Sequence, residues 1–382
     1  MKNQQHHSAP SLHILLLAVL FLLSVSSANS KQLRGQPQVE SIAERNKRIR
    51  YQHQEDSCQQ QQTTVQTFCG QHQEGQFICE YDEAAQEYVT RCVKRNAALK
   101  HVHLHEKNYC GICRKCFQDK QELQMAVDDY LSLPEEGRAT SIVAKVYGYP
   151  MGSWCVDRID NFSYLFYQKK HFNEDLTFWR VEQATDMSAM FAEAAIFDGD
   201  LSLWNTFNTR SFRSMFERAY YFTGKGLEYW NTSSAVDMSK MFRMAKHFNA
   251  NIDTWDTASV TNLSRFLYRA EAFDQPLNSW NVSSVQDLSF AFGFAKHFNQ
   301  DLSQWQPISA TTLRGAFQHA DVFQQDLSQW SIFQVTDMDY LFQNTPVASN
   351  DALKENIQQS WNTNQVVGQH EMFGISETTM VT

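Results

Sequence analysis

Apolar residues recur along the second half of the chain in a frame set by tryptophan. Trp154, Trp179, Trp204, Trp230, Trp255, Trp280, Trp305 and Trp330 are separated by 25 residues at every step but one, which is 26. Counted from each Trp as position zero, position eight holds Phe162, Met187, Phe212, Met238, Leu263, Leu288, Leu313 and Met338. Position twelve is Phe in all copies but one, where it is Leu267, and position fifteen is Ala in six copies, from Ala194 to Ala320. The steps between positions five, eight, eleven, twelve and fifteen place one apolar stripe on a helix of period 3.6. A Thr-Asp pair just before the stripe, as at Thr185-Asp186 and Thr336-Asp337, fits a helix start. The Leu-x-x-Trp segment that follows the polar Asn-Gln-Asp turn reads as a short strand, with the residues on either side of each Trp facing outward.

A fixed period between 20 and 50 residues is the signature of a solenoid, whose units bury their apolar faces only against each other. The expected fold is therefore α/β: a curved, leucine-rich-repeat-like solenoid of eight coils, each with a short strand and a short helix, preceded by a disulfide-rich module. Strands stack at about 4.8 Å and helices at about 8 to 10 Å, so strands should line the concave side. The chain divides into a signal peptide (1–30), a flexible polar segment (31–57) and a Cys-rich module (58–117). A leading helix and N-terminal cap (118–153), the repeats (154–348) and a C-terminal cap and tail (349–382) complete it.

Several copies carry a unit such as Trp280-Asn-Val-Ser-Ser-Val-Gln-Asp-Leu-Ser, followed by Phe298-Asn-Gln-Asp-Leu-Ser-Gln-Trp305. This unit resembles the repeat of the BspA-like leucine-rich-repeat surface proteins, over residues 122 to 375. Ala126-Val-Asp-Asp-Tyr130 and Val146-Tyr147-Gly148 are similar to the helix and Tyr-Gly motif that often open that family's repeats. The resemblance implies a surface or secreted interaction protein with no established chemistry. Lys169 in place of Ala, an extra residue near Gly224 and Gly226, and Ala348 in place of Phe depart from the pattern.

Lys2, the apolar run Leu12 to Val25, and small residues at Ala28 and Ser30 form a secretory signal. No later stretch is apolar enough to span a bilayer, so the expectation is a secreted, extracellular or cell-surface protein without a transmembrane segment in its mature chain. Behind such a signal, cysteines oxidise. Cys58, Cys69, Cys79, Cys92, Cys110, Cys113 and Cys116 crowd one segment and Cys155 stands beside the first repeat Trp. We expect disulfides among them, with Cys155 pairing back to the module and tying it to the first repeat. His101, His103 and His105 beside Cys110-x-x-Cys113 would suit zinc in a reducing compartment, but the leader favours disulfides over metal.

A net charge of -9 argues against a nucleic-acid partner. No phosphate loop, nucleophile elbow or dinucleotide fingerprint is present, so neither a catalytic role nor a cofactor is expected. Asp175, Asp200, Asp301 and Asp326 share one turn position; with one carboxylate per copy they fit a ladder bonded to turn backbone better than a calcium site. Asn161, Asn231, Asn262 and Asn281 begin N-glycosylation sequons. The residues before each Trp run from apolar to polar, and Phe178, Leu203 and Tyr229 make a candidate exposed patch. The expected role is binding of an extracellular protein or glycan through the solenoid face, with a self-associating matrix or wall component as the second reading.

Overall fold

The computed structural model describes residues 115–361 and 371–374, together with the backbone of 75–82, 87–94 and 109–110. The signal and the flexible polar segment lie outside these, as do Cys58, Cys69 and Cys113. Within the Cys-rich segment, β1 (Gly75–Asp82) pairs antiparallel with β2 (Glu87–Lys94) on one side and with β3 (Tyr109–Cys110) on the other. Cys79, Cys92 and Cys110 are placed on these strands by backbone alone.

The repeats stack, but not as an α/β solenoid. From Asn161 to Asp337 no α-helix forms, and each copy meets the next through a single-residue parallel bridge: Asn161 to Asp186, then Ser211, Asp237, Asn262, Asp287, Thr312 and Asp337. The expectation of one strand and one helix per coil is thus overturned, and with it a strand-lined concave side. The backbone shows why. Where a helix would send every amide to the carbonyl four residues back, here alternate amides leave the copy altogether. Met187, Ala189, Phe191 and Glu193 donate to the carbonyls of Ser211, Arg213, Met215 and Glu217 in the following copy. The amides between them, Met190, Ala192 and Ala194, close turns on residues three back.

This pattern requires a left-handed residue every fourth position. Ala189 and Glu193 have φ of 54° and 62°, and positions ten and fourteen repeat this in the other copies, including bulky Lys240, Arg265 and Phe290. A left-handed residue costs about 1 to 2 kcal/mol for a side chain with Cβ. The bonds to the neighbouring copy, made on both sides, offset that cost. Turns of this kind still bring positions eight, eleven, twelve and fifteen inward, which is why the stripe mimics a helix.

The Thr-Asp pair read as a helix cap does a related task. At position seven a side-chain oxygen accepts from the amide two residues on: Ser188 to Asp186 at 2.8 Å, Ser239 to Asp237 at 2.8 Å, Ser264 to Asn262 at 2.9 Å. These Asx turns start the turn series in place of a helix. Asp175, Asp200, Asp301 and Asp326 do the same one turn earlier, accepting from the amides of Thr177, Ser202, Ser303 and Ser328.

Inside, three aromatic columns run across the copies. The indoles of Trp204, Trp230, Trp255, Trp280, Trp305 and Trp330 stack with centroids 5.9 to 6.3 Å apart. Each indole N–H donates to the carbonyl of the residue 28 or 29 before it, as Trp305 does to Leu277 at 2.7 Å and Trp230 to Leu201 at 3.1 Å. Phe at position twelve lies flat on Phe at position eighteen of the same copy, as in Phe242 on Phe248 at 3.7 Å. Both series stack again between copies, for example Phe292 on Phe317 and Phe273 on Phe298. The one 26-residue copy absorbs its extra residue at Gly226, left-handed at φ 86° and so close to the preceding copy that a Cβ would stand 2.2 Å from the Ser202 nitrogen. Only glycine fits there.

Both ends are closed. In front, α1 (Lys120–Ser132), capped by Asp119, buries Leu123, Ala126, Val127 and Tyr130, while α2 (Glu135–Arg138) and α3 (Ile142–Tyr147) complete the cover. Phe117, Tyr147 and Trp154 pack together there, and the Cys116–Cys155 disulfide ties the end of the Cys-rich segment to the first copy. The Phe117 amide also donates to the Cys155 carbonyl at 3.1 Å. Behind, α4 (Pro346–Ser349) and α5 (Asp351–Trp361) bury Val347, Ile357 and Trp361. Residues 371–374 lie along the last copy, accepting from the Tyr340 and Phe342 amides through Glu371 and Met372. No helix among the described residues is long and apolar enough to cross a membrane.

Candidate interaction face

The turn series leaves positions ten, thirteen and fourteen at the surface in most copies, with Ala189, Ala192, Gly293 and Gly315 buried there, while position nine is buried at Ser163, Ser239 and Ser264 and exposed at Arg213. These positions vary from copy to copy while the inward positions stay apolar. In the first copy this face carries the exposed Tyr164 and Tyr167, whose rings meet edge-on at 5.6 Å, and in the copies after it arginines pair with glutamates. Arg218 pairs with Glu193 at 2.9 Å and Arg243 with Glu217, and at the far end Arg314 pairs with Asp339 at 3.1 Å and Asp337 at 3.5 Å. Between these zones the composition changes. Arg265, Tyr268 and Arg269 occupy one copy, and Phe290 and Phe294 the next.

These five side chains interlock. The Arg265 guanidinium lies 5.1 Å from the centre of the Phe290 ring, and that of Arg269 lies 4.8 Å from Phe294 and 5.7 Å from Tyr268. Tyr268 meets Phe290 and Phe294 edge-on at 6.2 and 5.4 Å. His319 stacks on Phe294 at 4.4 Å, so that ring is contacted by Arg269 and by an imidazole. Glycine makes room for the rings. A Cβ on Gly315 would come within 2.5 Å of Phe290, and one on Gly293 within 3.0 Å of Tyr268. Neither Arg265 nor Arg269 has a carboxylate or hydrogen-bond acceptor among the described residues. An arginine seated on a ring keeps its N–H edge directed at solvent, in the fork that matches a carboxylate.

The residues singled out beside the tryptophans do not form one patch. Phe178 is 48 % exposed, but Leu203 is 2 % exposed and Tyr229 is half-buried. The segment before each Trp is a turn and not a strand: the Trp204 amide donates to Leu201 at 3.1 Å, and Leu227–Tyr229 is a 3-10 turn. Without pleating, neighbours of the Trp have no fixed outward side. Of the sequons, Asn231 and Asn281 are exposed, with Oδ1 held by the amides of Ser233 and Ser283. Asn161 and Asn262 are half-buried bridge residues of the stack. Lys246 and Lys296 flank Glu271 at 3.5 and 3.4 Å. Burial raises the Glu271 carboxyl, but the two lysine charges overcome it and hold the group below its ordinary value.

Several groups titrate unusually at the front end, Tyr130 and Glu122 among them. Burial pushes Tyr130 up to about 12. At Glu122 burial also acts upward, yet the hydrogen bonds from Lys115, the Gln118 amide (2.8 Å) and the Tyr147 hydroxyl (2.9 Å) together hold it below the usual glutamate range. Beside them Met125, Ile142 and Val146 leave a shallow, partly apolar groove between α1 and α3. No cluster of His, Cys, Asp or Glu among the described residues could hold a metal ion.

Stacked aromatic columns, single-residue parallel bridges and a fixed 25-residue frame define a repeat protein whose copies are built from turns. Residues 139–250, 221–318 and 279–380 each match the family described as Mycoplasma protein of unknown function, DUF285, and the chain belongs to that family. Comparison with the curated proteins and with the solved structures gives no match.

Proposed function

We propose that this chain is a secreted or cell-surface repeat protein that binds a protein or glycan partner through the outward positions of its turn series, without catalysis. One observation carries the reading. The inward positions and the backbone hold every copy alike, while the side chains at positions ten, thirteen and fourteen vary widely, from Tyr164 to Arg265 to Phe290. A rigid scaffold with a variable outer face is how repeat proteins build recognition surfaces. The signal-like leader, the Cys116–Cys155 disulfide and the resemblance to BspA-like surface proteins support an oxidising, external setting. The closed ends weigh against the second reading, assembly by end-to-end stacking of copies.

The test is amine cross-linking of the full chain on the native external surface, read by mass spectrometry. Lys240, at position ten, provides a reporter on the face itself. Links from Lys240 to a foreign protein or to a glycan-bearing partner are the expected result. Links confined to other copies of this chain would overturn the proposal in favour of a structural assembly.

A further inference from the structure

We infer that the Arg265–Arg269 copy and the Phe290–Phe294 copy form the recognition centre of this face, and that its partner is a protein presenting a compact cluster of carboxylates. The inference deepens the reading above and rests on it. Three features of the face point to that chemistry.

First, the charges are unspent. Arg218, Arg243 and Arg314 are each matched by Glu193, Glu217 or the Asp337–Asp339 pair, whereas Arg265 and Arg269 have no acceptor among the described residues. Lys240 precedes Arg265 at the same position of the preceding copy, and it too has no carboxylate partner there. Second, the guanidiniums are pre-positioned. Resting on Phe290 and on Phe294 and Tyr268, they have lost much of the rotamer freedom that binding would otherwise remove, and their forks suit bidentate capture of a carboxylate. Third, the surroundings are those of a protein interface. Tyr and Arg are the side chains that dominate binding energy at protein–protein contacts, and a central aromatic and arginine cluster ringed by neutral polar groups is their usual setting.

Charge distribution along the stack selects a protein over a polyanionic glycan. Successive copies lie about 5 to 6 Å apart in the aromatic columns, as with Phe292 and Phe317 at 5.2 Å. The unpaired cations, Arg213, Lys240, Arg265 and Arg269, therefore fall in three successive copies, about 10 to 12 Å from first to last at the sheet-like repeat. Beyond them the face is neutralised by its own ion pairs on both sides, so a long sulfated chain gains nothing from extending further. A local acidic cluster with apolar neighbours matches both the short cationic zone and the exposed ring edges.

The experiment uses the full chain and two probes: a fluorescein-labelled twelve-residue peptide of alternating Asp/Glu and Leu/Tyr, and a labelled heparin fragment of similar length. Binding is followed by fluorescence anisotropy for the native protein, R265A/R269A, R265K/R269K and, as a control at a paired cation off this face, K225A. Unfolding curves of each variant confirm that the stack persists. The expected result is peptide binding weakened about tenfold or more in R265A/R269A, in line with truncation of central interface arginines. R265K/R269K should keep only part of the affinity, because a point charge replaces the fork, and K225A should be close to native.

Equal peptide binding by native protein and R265A/R269A overturns the inference, as does heparin binding that is tighter than the peptide's and lost in the same variant. Repeating the Lys240 cross-linking with R265A/R269A separates the two levels. A foreign partner still captured in that variant leaves the interaction role standing and removes this centre from it. Links only between copies remove both.

Discussion

The ring of Phe290 occupies the space where a side chain on Gly315 would begin: a Cβ there would lie 2.5 Å from its Cε1. Gly315 shares its position and its left-handed φ of 57° with Arg265 and Phe290 themselves, so the backbone at this position accepts larger residues. What the glycine supplies is room. Gly315→Ala should therefore act mainly by lifting Phe290 away from its seat beneath Arg265. We expect a loss of about 1 to 2 kcal/mol in denaturant unfolding, and no further loss when the same change is made in a Phe290→Ala background. Additive losses in that double-mutant cycle would show that backbone strain and not ring displacement is responsible.

The indole ladder makes a second expectation. Trp255 donates to the Leu227 carbonyl at 2.8 Å and is 3 % exposed. Trp255→Phe removes the donor while keeping a ring in the column, leaving a buried carbonyl short of a partner, and should cost about 1 to 3 kcal/mol. Trp255→Ala opens a cavity as well and should cost about 3 to 5 kcal/mol. Urea unfolding followed by circular dichroism separates the two; equal effects would mean that the ring contributes nothing beyond its hydrogen bond.

The Cys116–Cys155 bridge closes a sequence separation of 39. Chain-entropy arguments give such a loop about 4 kcal/mol of stabilisation. In a stack where each copy touches only its neighbours, loss of the bridge should be felt at the front and fade along the chain. Hydrogen exchange of Cys155→Ser should show faster exchange at the Phe117 amide and through α1, with the Leu313–Phe342 region close to native. Uniformly faster exchange would mean that the stack unfolds as one unit.

Acid should loosen the same end. The Glu122 carboxylate accepts from Lys115, the Gln118 amide and Tyr147, and its folded value lies below its unfolded one. Its contribution is therefore present above the unfolded value of about 4.3 and is lost as pH falls through the folded value. Glu122→Gln should remove part of the stability at neutral pH and flatten the acid limb of the stability curve. An unchanged acid limb in Glu122→Gln would assign the acid sensitivity to other carboxylates, such as Asp198. There too burial acts upward, but Lys225 and Thr223 win and hold the group low.

Much of the interior was legible from sequence because it depends on residue type alone. Phe at positions twelve and eighteen, Ala at fifteen and the Trp frame mark the buried columns whatever the backbone does. The backbone itself was hidden. Positions eight, eleven, twelve and fifteen satisfy a helix and a run of turns equally well, and nothing local distinguishes an amide that bonds four residues back from one that bonds 24 residues ahead, as Met187 does to Ser211. Left-handed residues at Lys240 and Phe290 carry no glycine or asparagine to announce them. The candidate face was missed for a related reason: attention to the residues beside each Trp assumed a pleated strand. The signal that would have found it was the density of Arg and aromatic residues at outward positions of the copies beginning at Trp255 and Trp280, positions that face outward under either backbone.

Because alternate amides of every copy donate forward, to the copy that follows, the stack has a direction, like a zip whose teeth all point one way. Its front supplies acceptors and its back supplies donors. Glu371 and Met372 satisfy two such donors of the last copy, Tyr340 and Phe342. Those few residues are the stop at the end of the zip: with them gone, the back of one molecule would offer to any other chain the same bare donors on which each new copy is laid down.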